Sequence, residues 1–319
     1  MSGSVLVPDT APPATGRNVV AWAHGTTGSG DRCAPSTDVH PANGIEDARP
    51  LLAAGDAIVA TDYQGLGTPG PHPYLIGASE ARSVLDAVRA ARHLPRTGLG
   101  TGLVVFGHSQ GGQATLFTAE LAAGYAPELN LLGAAAAAPP TDLTALAMGV
   151  TGLDYGVAYL VEIAAGYSAT DPAARLSTIV TTRAATKLHL VEDGCTDDLI
   201  STYDHLNTSA VFTHDPRTTP PWSTGLAANS VTTVPRSVPV LIMQGARDPI
   251  VSADVTARAV TAMCGAGDTV SYSVYPKAAH NVVPSAANDL NAWIAARFRH
   301  RAAPRTCPAP TVTRPRPPG

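Results

Sequence analysis

The pentapeptide Gly107-His108-Ser109-Gln110-Gly111 is a G-x-S-x-G pattern and the most informative chemical signal in the sequence. It follows an apolar run typical of a buried strand and precedes a run with helical periodicity, and this is the context of a nucleophile elbow. The turn is too tight for a side chain at the positions two residues before and two residues after the serine, and this explains Gly107 and Gly111. The pattern therefore predicts Ser109 as a nucleophile, with the backbone N–H of Gln110 facing a developing oxyanion.

A serine hydroxyl is a weak nucleophile at neutral pH and needs a histidine base, which an acidic residue orients. In proteins with a nucleophile elbow, the three residues occur along the chain in the order serine, acid, histidine. Only His280 and His300 follow the last predicted strand, and His300 lies at the far end of a helix, so His280 is the predicted base. Asp248, which follows the preceding strand, is the predicted acid. Asp254 is the alternative, but it falls in a first helical turn, where a carboxylate stabilises the helix dipole without catalytic work.

A second oxyanion donor should come from a loop at an early strand end, and two loops compete. His24-Gly25-Thr26-Thr27-Gly28 follows the first strong strand, and the segment from Thr61 to Gly67 follows the next. The residues alone leave Thr26 and Asp62 open as the second donor.

The segments that must position these side chains alternate between short apolar runs and helical patterns, which predicts βαβ units and a mostly parallel sheet. The predicted strands are Val19–Ala23, Ala57–Thr61, Leu103–Phe106, Leu131–Ala137, Val238–Gln244 and Val270–Tyr275. The predicted helices are Glu46–Ala54, Ser79–Leu94, Gln110–Ala123, Ala253–Met263 and a last helix after Ser285. We expect an α/β fold with helices on both faces of the sheet.

The alternation stops between about residues 143 and 234, which predicts an inserted, mostly helical cap. The expected organisation is a core in two parts, 1–142 and 235–300, with the cap 143–234 between them and a Pro- and Arg-rich, mobile tail at 301–319. The run from Ala145 to Tyr167 is the most apolar stretch, but Asp154 and Glu162 within it argue against a membrane span, and we expect helices broken near Thr151. Part of this run either lines a channel above Ser109 or packs wholly as an inert core. Candidate substrate contacts are Tyr63, Leu153 and Leu160.

Composition narrows the function classes. Charged residues make up 14% of the 319 residues and the net charge is −4, which argues against a nucleic-acid partner and against an anionic membrane. The four cysteines, Cys33, Cys195, Cys264 and Cys307, form no C-x-x-C pair, which argues against a redox or zinc motif. We expect two disulfides. Cys264 with Cys307 would hold the tail, and this leaves Cys33 with Cys195.

The chain resembles the secretory lipase family of α/β hydrolases, in its actinobacterial branch, over roughly residues 5 to 298. Four segments carry the resemblance: HGTTGSGDRCAPS from His24, TDYQGLGTPGPHPYL from Thr61, GHSQGG from Gly107, and the pair QGARDPIV and YPKAAH around Asp248 and His280. The resemblance implies the α/β-hydrolase fold, carboxylic-ester hydrolysis, a helical cap after the sixth strand and secretion. It also implies that Asp62, with the N–H of Gln110, forms the oxyanion hole, and this moves our choice from Thr26 to Asp62.

The expected function is therefore that of a serine esterase or lipase that forms an acyl-enzyme and needs neither a metal nor an organic cofactor. Its expected partner is a small-molecule or lipid ester, met in solution or at a lipid–water interface, with no stable insertion into a membrane. The same triad would serve an acyltransferase, a thioesterase or a peptidase, and a non-catalytic binding protein is a further alternative. We expect an extracellular protein whose signal peptide is not part of this sequence.

Overall fold

A seven-stranded sheet forms the centre of the protein in a computed structural model that describes residues 1–45 and 47–307. The strands follow the order β1-β3-β2-β4-β5-β6-β7, with β1 antiparallel to β3 and every other neighbouring pair parallel. Their bounds are β1 Gly3–Leu6, β2 Arg17–Ala23, β3 Ala57–Thr61, β4 Leu99–His108, β5 Asn130–Ala137, β6 Val240–Gly245 and β7 Val270–Tyr275. The carboxyl ends of the parallel strands therefore meet along one edge of the sheet, where their loops can share a site.

Helices cover both faces of this sheet because successive strand side chains point to opposite sides. The helices that pack on the sheet are α1 Ala48–Ala53, α2 Gly77–Arg92, α3 Gln110–Tyr125, α11 Ala253–Ala266 and α12 Val283–Phe298. Val19 and Val105 share an apolar core with α2, α3 and α11, whereas Val20 and Phe106 share one with α1 and α12. The strands are thus buried on both faces, as near-continuous apolar runs require.

All six predicted strands are present, and Ala57–Thr61 and Val270–Tyr275 have the predicted bounds. The predicted helices around the sheet are also present, although Glu46, the predicted start of the first, lies outside the described residues. The expected α/β architecture with helices on both faces is confirmed. The strand β1 is not among the predicted strands; it has four residues, lies at the edge of the sheet and is only partly buried.

Between β5 and β6 the chain forms seven helices that build an apolar core of their own. They are α4 Leu143–Val150, α5 Gly156–Ser168, α6 Thr182–Ala185, α7 Leu188–Asp193, α8 Thr196–Tyr203, α9 Thr208–Val211 and α10 Trp222–Ala228. Leu160, Tyr203 and Trp222 are buried in this core, and the Trp222 indole donates to the carbonyl of Ala164. The resemblance implied a helical cap after the sixth strand, whereas in this chain the inserted helices follow β5, the fifth strand along the sequence. None of the helices in the described part of the chain has both the length and the apolar character needed to cross a bilayer.

Two disulfides connect distant parts of the chain, and both have the predicted pairing. Cys33 joins Cys195 across 162 residues, which ties the loop after β2 to the start of α8, and Cys264 joins Cys307. The segment before Cys307 was predicted as mobile tail, but it runs along β7. There the N–H of Thr306 donates to Val270 and the Ser271 hydroxyl donates to Pro304. Residues 308–319 of the predicted tail lie outside the described residues.

Candidate active site

Ser109 lies in the turn between β4 and α3, with backbone angles of φ 56° and ψ −120° that few residues adopt. The turn requires glycine on both sides. A Cβ atom at Gly107 would lie 2.3 Å from the carbonyl oxygen of Gly111, and one at Gly111 would lie 1.9 Å from the carbonyl oxygen of Ala23. The close approach of β2, β4 and α3 therefore fixes the direction in which the serine side chain leaves the sheet.

The structure brings Ser109, His280 and Asp248 together in one hydrogen-bonded chain. The Nε2 atom of His280 lies 2.8 Å from the Oγ of Ser109, and its Nδ1 lies 2.8 Å from Oδ2 of Asp248. Because a carboxylate only accepts, Nδ1 carries the proton and Nε2 is free to accept the serine proton. The three residues come from the ends of β4, β7 and β6 at the carboxyl edge of the sheet. Asp254, the alternative acid, lies in the first turn of α11.

Asp248 is held rigidly in a fully buried position. Its side chain is 0% exposed, and it accepts hydrogen bonds from the backbone N–H groups of Ile250 and Val251 at 2.9 Å and from the Gln244 amide at 3.0 Å. These bonds stabilise a buried carboxylate and leave one direction open toward His280.

A cavity of about 580 Å³ opens above Ser109, with Gln110 and His280 also in its wall. The apolar part of its lining includes Leu146 and Val150 of α4, Tyr159 and Ile163 of α5, and Ile250 and Val251 beside the acid. The polar part comes from the loop after β2 and includes Thr26, Thr27, Arg32 and Asp38. The arrangement can therefore take up a molecule with an apolar portion and present its carbonyl to Ser109.

The candidate substrate contacts from the sequence do not reach this cavity. Tyr63 is buried and its hydroxyl donates to the carbonyl of His24, while Leu160 is 0% exposed in the core of the inserted helices. Leu153 follows the end of α4 and is not part of the cavity wall. The segment is apolar all round, so its periodicity could not tell which face meets the cavity.

The structure also places Asp62 away from the cavity. Its backbone N–H donates to the carbonyl of Ser2 at 3.0 Å, and its carboxylate accepts from the N–H and the hydroxyl of Ser36. The physical reason is the strand order, because β2 lies between β3 and β4 and the loop after β3 is one strand too far from Ser109. Asp62 instead fixes the segment around Ser36.

The loop after β2 lies beside Ser109, at the position that the resemblance assigned to Asp62. A Cβ atom at Gly25 would lie 3.8 Å from the Cβ of Ser109, and Thr26, the next residue, lines the cavity. The Oγ1 of Thr26 lies 2.8 Å from the hydroxyl of Tyr74, so its side chain is held as well. On this geometry Thr26, the alternative from the sequence, is the better candidate for the second oxyanion donor.

The family model for secretory lipases matches residues 45–305. The chain belongs to the secretory lipase family. The secreted triacylglycerol lipase LIP5 of Malassezia furfur is 31% identical over 166 residues, which are 48% of this chain and 41% of that protein. LIP4 of Malassezia globosa, named in the same way, is 32% identical over 180 residues, 53% of this chain and 38% of that protein. The chain thus spans about two fifths of the length of these curated relatives.

The crystal structure of lipase A from Candida antarctica superposes with a TM-score of 0.80 at 22% identity, covering 95% of this chain and 74% of that one. The fold of this secretory lipase family member is therefore the α/β-hydrolase fold, as expected.

Several residues around the site were not singled out from the sequence, although His108 and His72 lie within segments that carry the family resemblance. His108, the variable residue before the serine, has its Nε2 atom 2.9 Å from the carbonyl oxygen of His280 and so braces the loop of the base. Behind Gln110 lie two further buried side chains, His72 and Glu80. His72 comes from the loop before α2, where its Nδ1 contacts the carbonyl oxygen of Gln64, and Glu80 comes from the first turn of α2, which packs against α3.

Proposed function

We propose that this protein is a serine carboxylic-ester hydrolase in which Ser109 is the nucleophile, His280 the general base and Asp248 the residue that orients it. The observation that carries the proposal is the continuous chain of 2.8 Å contacts from Asp248 through His280 to Ser109 at the floor of a cavity. Membership of the secretory lipase family supports ester hydrolysis as the reaction.

In the proposed mechanism, the Oγ of Ser109 attacks the ester carbonyl while Nε2 of His280 accepts its proton. The oxyanion accepts hydrogen bonds from the backbone N–H groups of Gln110 and Thr26, where negative charge also meets the N-terminus of α3. His280 then gives the proton to the leaving alkoxide, and an acyl-enzyme remains on Ser109. Water, deprotonated by Nε2 of His280, attacks this ester, and His280 then returns the proton to the Oγ of Ser109 as the acid is released.

We further propose that helices α4 to α10 form a cap over the site, because α4 and α5 supply the apolar wall of the cavity. An acyl chain of the substrate would lie against Leu146 and Val150. Secretion is part of the proposal as well. The names of LIP5 and LIP4 describe secreted proteins, and two disulfides suit an oxidising compartment.

The test is a panel of p-nitrophenyl esters from acetate to palmitate together with an emulsified triglyceride, assayed with the wild type and with Ser109→Ala. The wild type should hydrolyse the esters, and the variant should lose about 10⁴- to 10⁶-fold in kcat while its melting temperature stays near that of the wild type. Retention of more than a few per cent of activity by Ser109→Ala would overturn the assignment. The triglyceride arm separates a lipase from an esterase confined to soluble substrates.

A further inference from the structure

Glu80 is a glutamate with 1% of its surface exposed, in the first turn of α2 and directly behind the elbow. Its Oε1 accepts two hydrogen bonds, from the side-chain amide of Gln110 at 2.8 Å and from the backbone N–H of Leu75 at 3.1 Å. Its Oε2 is buried and has no hydrogen-bond partner among the described residues. Among the residues that the structure describes, this carboxyl makes no ion pair, so its burial beside the proposed oxyanion donor Gln110 is costly.

The Gln110 side chain is held from both sides. The Nδ1 of His72 lies 2.8 Å from the carbonyl oxygen of Gln64, so Nδ1 donates there and Nε2 is left as an acceptor. The Gln110 amide nitrogen lies 3.2 Å from that Nε2 and 2.8 Å from Glu80. Both amide hydrogens therefore have acceptors, and the first residue of α3 is fixed at its side chain as well as its backbone.

The second hydrogen bond to Glu80 leads to the other proposed donor. Leu75, whose N–H it accepts, has a left-handed backbone with φ 55° and lines the cavity. The preceding residue, Tyr74, contacts Thr26 through its hydroxyl at 2.8 Å. The Oε1 atom of Glu80 thus contacts both sides of the proposed oxyanion hole. It accepts from the side chain of Gln110, whose backbone N–H is one donor, and from the segment that holds Thr26, the other donor.

We infer that Glu80 is a positioning residue for the oxyanion hole, acting as an uncharged acceptor that holds Gln110 directly and Thr26 through Leu75 and Tyr74. This inference rests on the proposed function. Burial raises the pKa of Glu80 to about 8, which agrees with a neutral side chain at neutral pH. A negative charge at this place would oppose the oxyanion that the hole must stabilise, so the neutral form is also the useful one.

The other titratable groups that face Glu80 do not change charge near pH 8. Burial lowers the pKa of His72 to about 4, so it is neutral. Burial raises the pKa of Tyr74 and of Tyr167, which approaches Glu80 from α5, well above the usual value. Of the groups that face Glu80, none ionises near pH 8, so ionisation of Glu80 is expected to lower kcat as the pH rises through about 8. Glu162, whose pKa burial also raises to about 8, acts on Tyr74 rather than on Glu80 or Gln110, and its variant shows whether it contributes to the alkaline fall.

The experiment compares Glu80→Gln, which keeps an acceptor oxygen and cannot ionise, with Glu80→Met, which has a similar length and no acceptor. Activity is expressed per active site titrated with a fluorophosphonate, so that misfolded protein does not count. We expect Glu80→Met to lose about 10- to 100-fold in kcat with KM changed less than about threefold, since only transition-state binding is affected. Glu80→Gln should stay within about threefold of the wild type at pH 7 and should lack the fall in kcat between pH 7 and 9.

Glu162→Met is the matched control, because Glu162 is also 1% exposed, has a pKa that burial raises to about 8, and does not contact Gln110. It should lower the melting temperature and leave kcat per titrated site unchanged. If Glu80→Met does not fold, Gln110→Leu removes the same hydrogen bond while keeping the backbone N–H, and the same loss in kcat is expected.

Unchanged kcat per titrated site in Glu80→Met or in Gln110→Leu would overturn the inference. A Glu80→Gln variant as impaired as Glu80→Met, or one that keeps the alkaline fall, would overturn it too. Failure of the proposed function has a different signature, namely a wild type that neither hydrolyses esters nor reacts with the fluorophosphonate.

Discussion

Asp248 is the residue whose single role at the site can be tested most cleanly. Both of its oxygens are engaged, one by two backbone N–H groups and the other by Gln244 and His280. An asparagine in its place can orient its NH₂ group in two ways. In one, the NH₂ group faces the two backbone N–H groups; in the other, it faces the Gln244 amide and the Nδ1–H of His280. Each orientation brings donors against donors. The side chain can be changed to an amide with almost no change in shape.

Asp248→Asn should therefore lower kcat by about 10²- to 10⁴-fold, because the imidazole loses the tautomer that accepts the serine proton. Steady-state hydrolysis of p-nitrophenyl butyrate measures the effect. Asp254→Asn is the matched control on the adjacent helix and should retain activity within about threefold. Equal impairment of the two variants, or an active Asp248→Asn, would refute the assignment of the acid.

At the scale of elements, we propose that α4 and α5 determine which acyl groups fit, because they line the cavity above Ser109. Leu146 and Val150 lie one turn apart on α4 and face the cavity, whereas Met148 between them is 54% exposed. One face of the helix thus contacts the proposed acyl chain and the other contacts solvent.

Leu146→Trp should shorten the space for the acyl chain and lower the ratio of kcat/KM for octanoate to that for acetate by at least about tenfold, since each buried CH₂ contributes up to about 0.8 kcal/mol. Met148→Trp, on the exposed side of the same helix, should leave the ratio within about twofold. A ratio that moves equally in both variants, or in neither, would assign α4 a purely structural role.

The two disulfides should differ in what they do. Cys33–Cys195 joins the loop that carries Thr26 to α8, and this junction has further bonds, such as Thr196 N–H to Thr27 and the ion pair of Arg32 with Asp198. Cys264–Cys307 instead holds the C-terminal segment against β7, far from the serine in the sheet order.

Replacing either cystine by two serines should lower the free energy of unfolding, by about 2–4 kcal/mol each. Only the Cys33→Ser/Cys195→Ser variant should also lower kcat, since it alone loosens the loop beside Ser109. Thermal melts and ester assays on the two double variants check this difference. Normal kcat in the first variant, or lowered kcat in the second, would contradict it.

The elements, and the side chains that meet in the proposed triad, could be predicted because their signals are local. Apolar runs on buried strands identify β2 to β7, and a glycine-flanked serine between a strand and a helix identifies the elbow. The choice between Thr26 and Asp62 could not be made in this way, since both follow a strand and only the order of strands in the sheet decides which loop lies beside Ser109. The same holds for Glu80, which reaches Gln110 through helix packing, a contact that no spacing in the chain encodes.

At the scale of the whole molecule, buried carboxyls make stability depend on pH. Glu80 and Glu162 have pKa values that burial raises from 4.5 to about 8, so the folded protein keeps protons that the unfolded chain loses above pH 4.5. Their contribution is full below about pH 4.5 and is lost as the pH rises to about 8. His72, with its pKa lowered from 6.5 to about 4, acts in the opposite direction, and only below pH 6.5.

The melting temperature should therefore fall most steeply between about pH 6.5 and 8. Glu162→Gln should have a shallower fall in this range than the wild type, because the amide cannot ionise in either state. Calorimetry or circular dichroism melts at pH 6.5, 7.2 and 8 test this. A wild type that is as stable at pH 8 as at pH 6.5, or an unchanged slope in the variant, would contradict the account of these groups.

The central claim is that Ser109 is a nucleophile activated by His280. Incubation with a fluorophosphonate followed by intact-mass and peptide mass spectrometry tests it most directly, because the reagent reports on the activated serine itself. We predict one adduct per chain, located on Ser109, absent in Ser109→Ala and formed at least about 10³-fold more slowly in His280→Ala. An adduct on another serine, or an equal rate of labelling in His280→Ala, would contradict the claim.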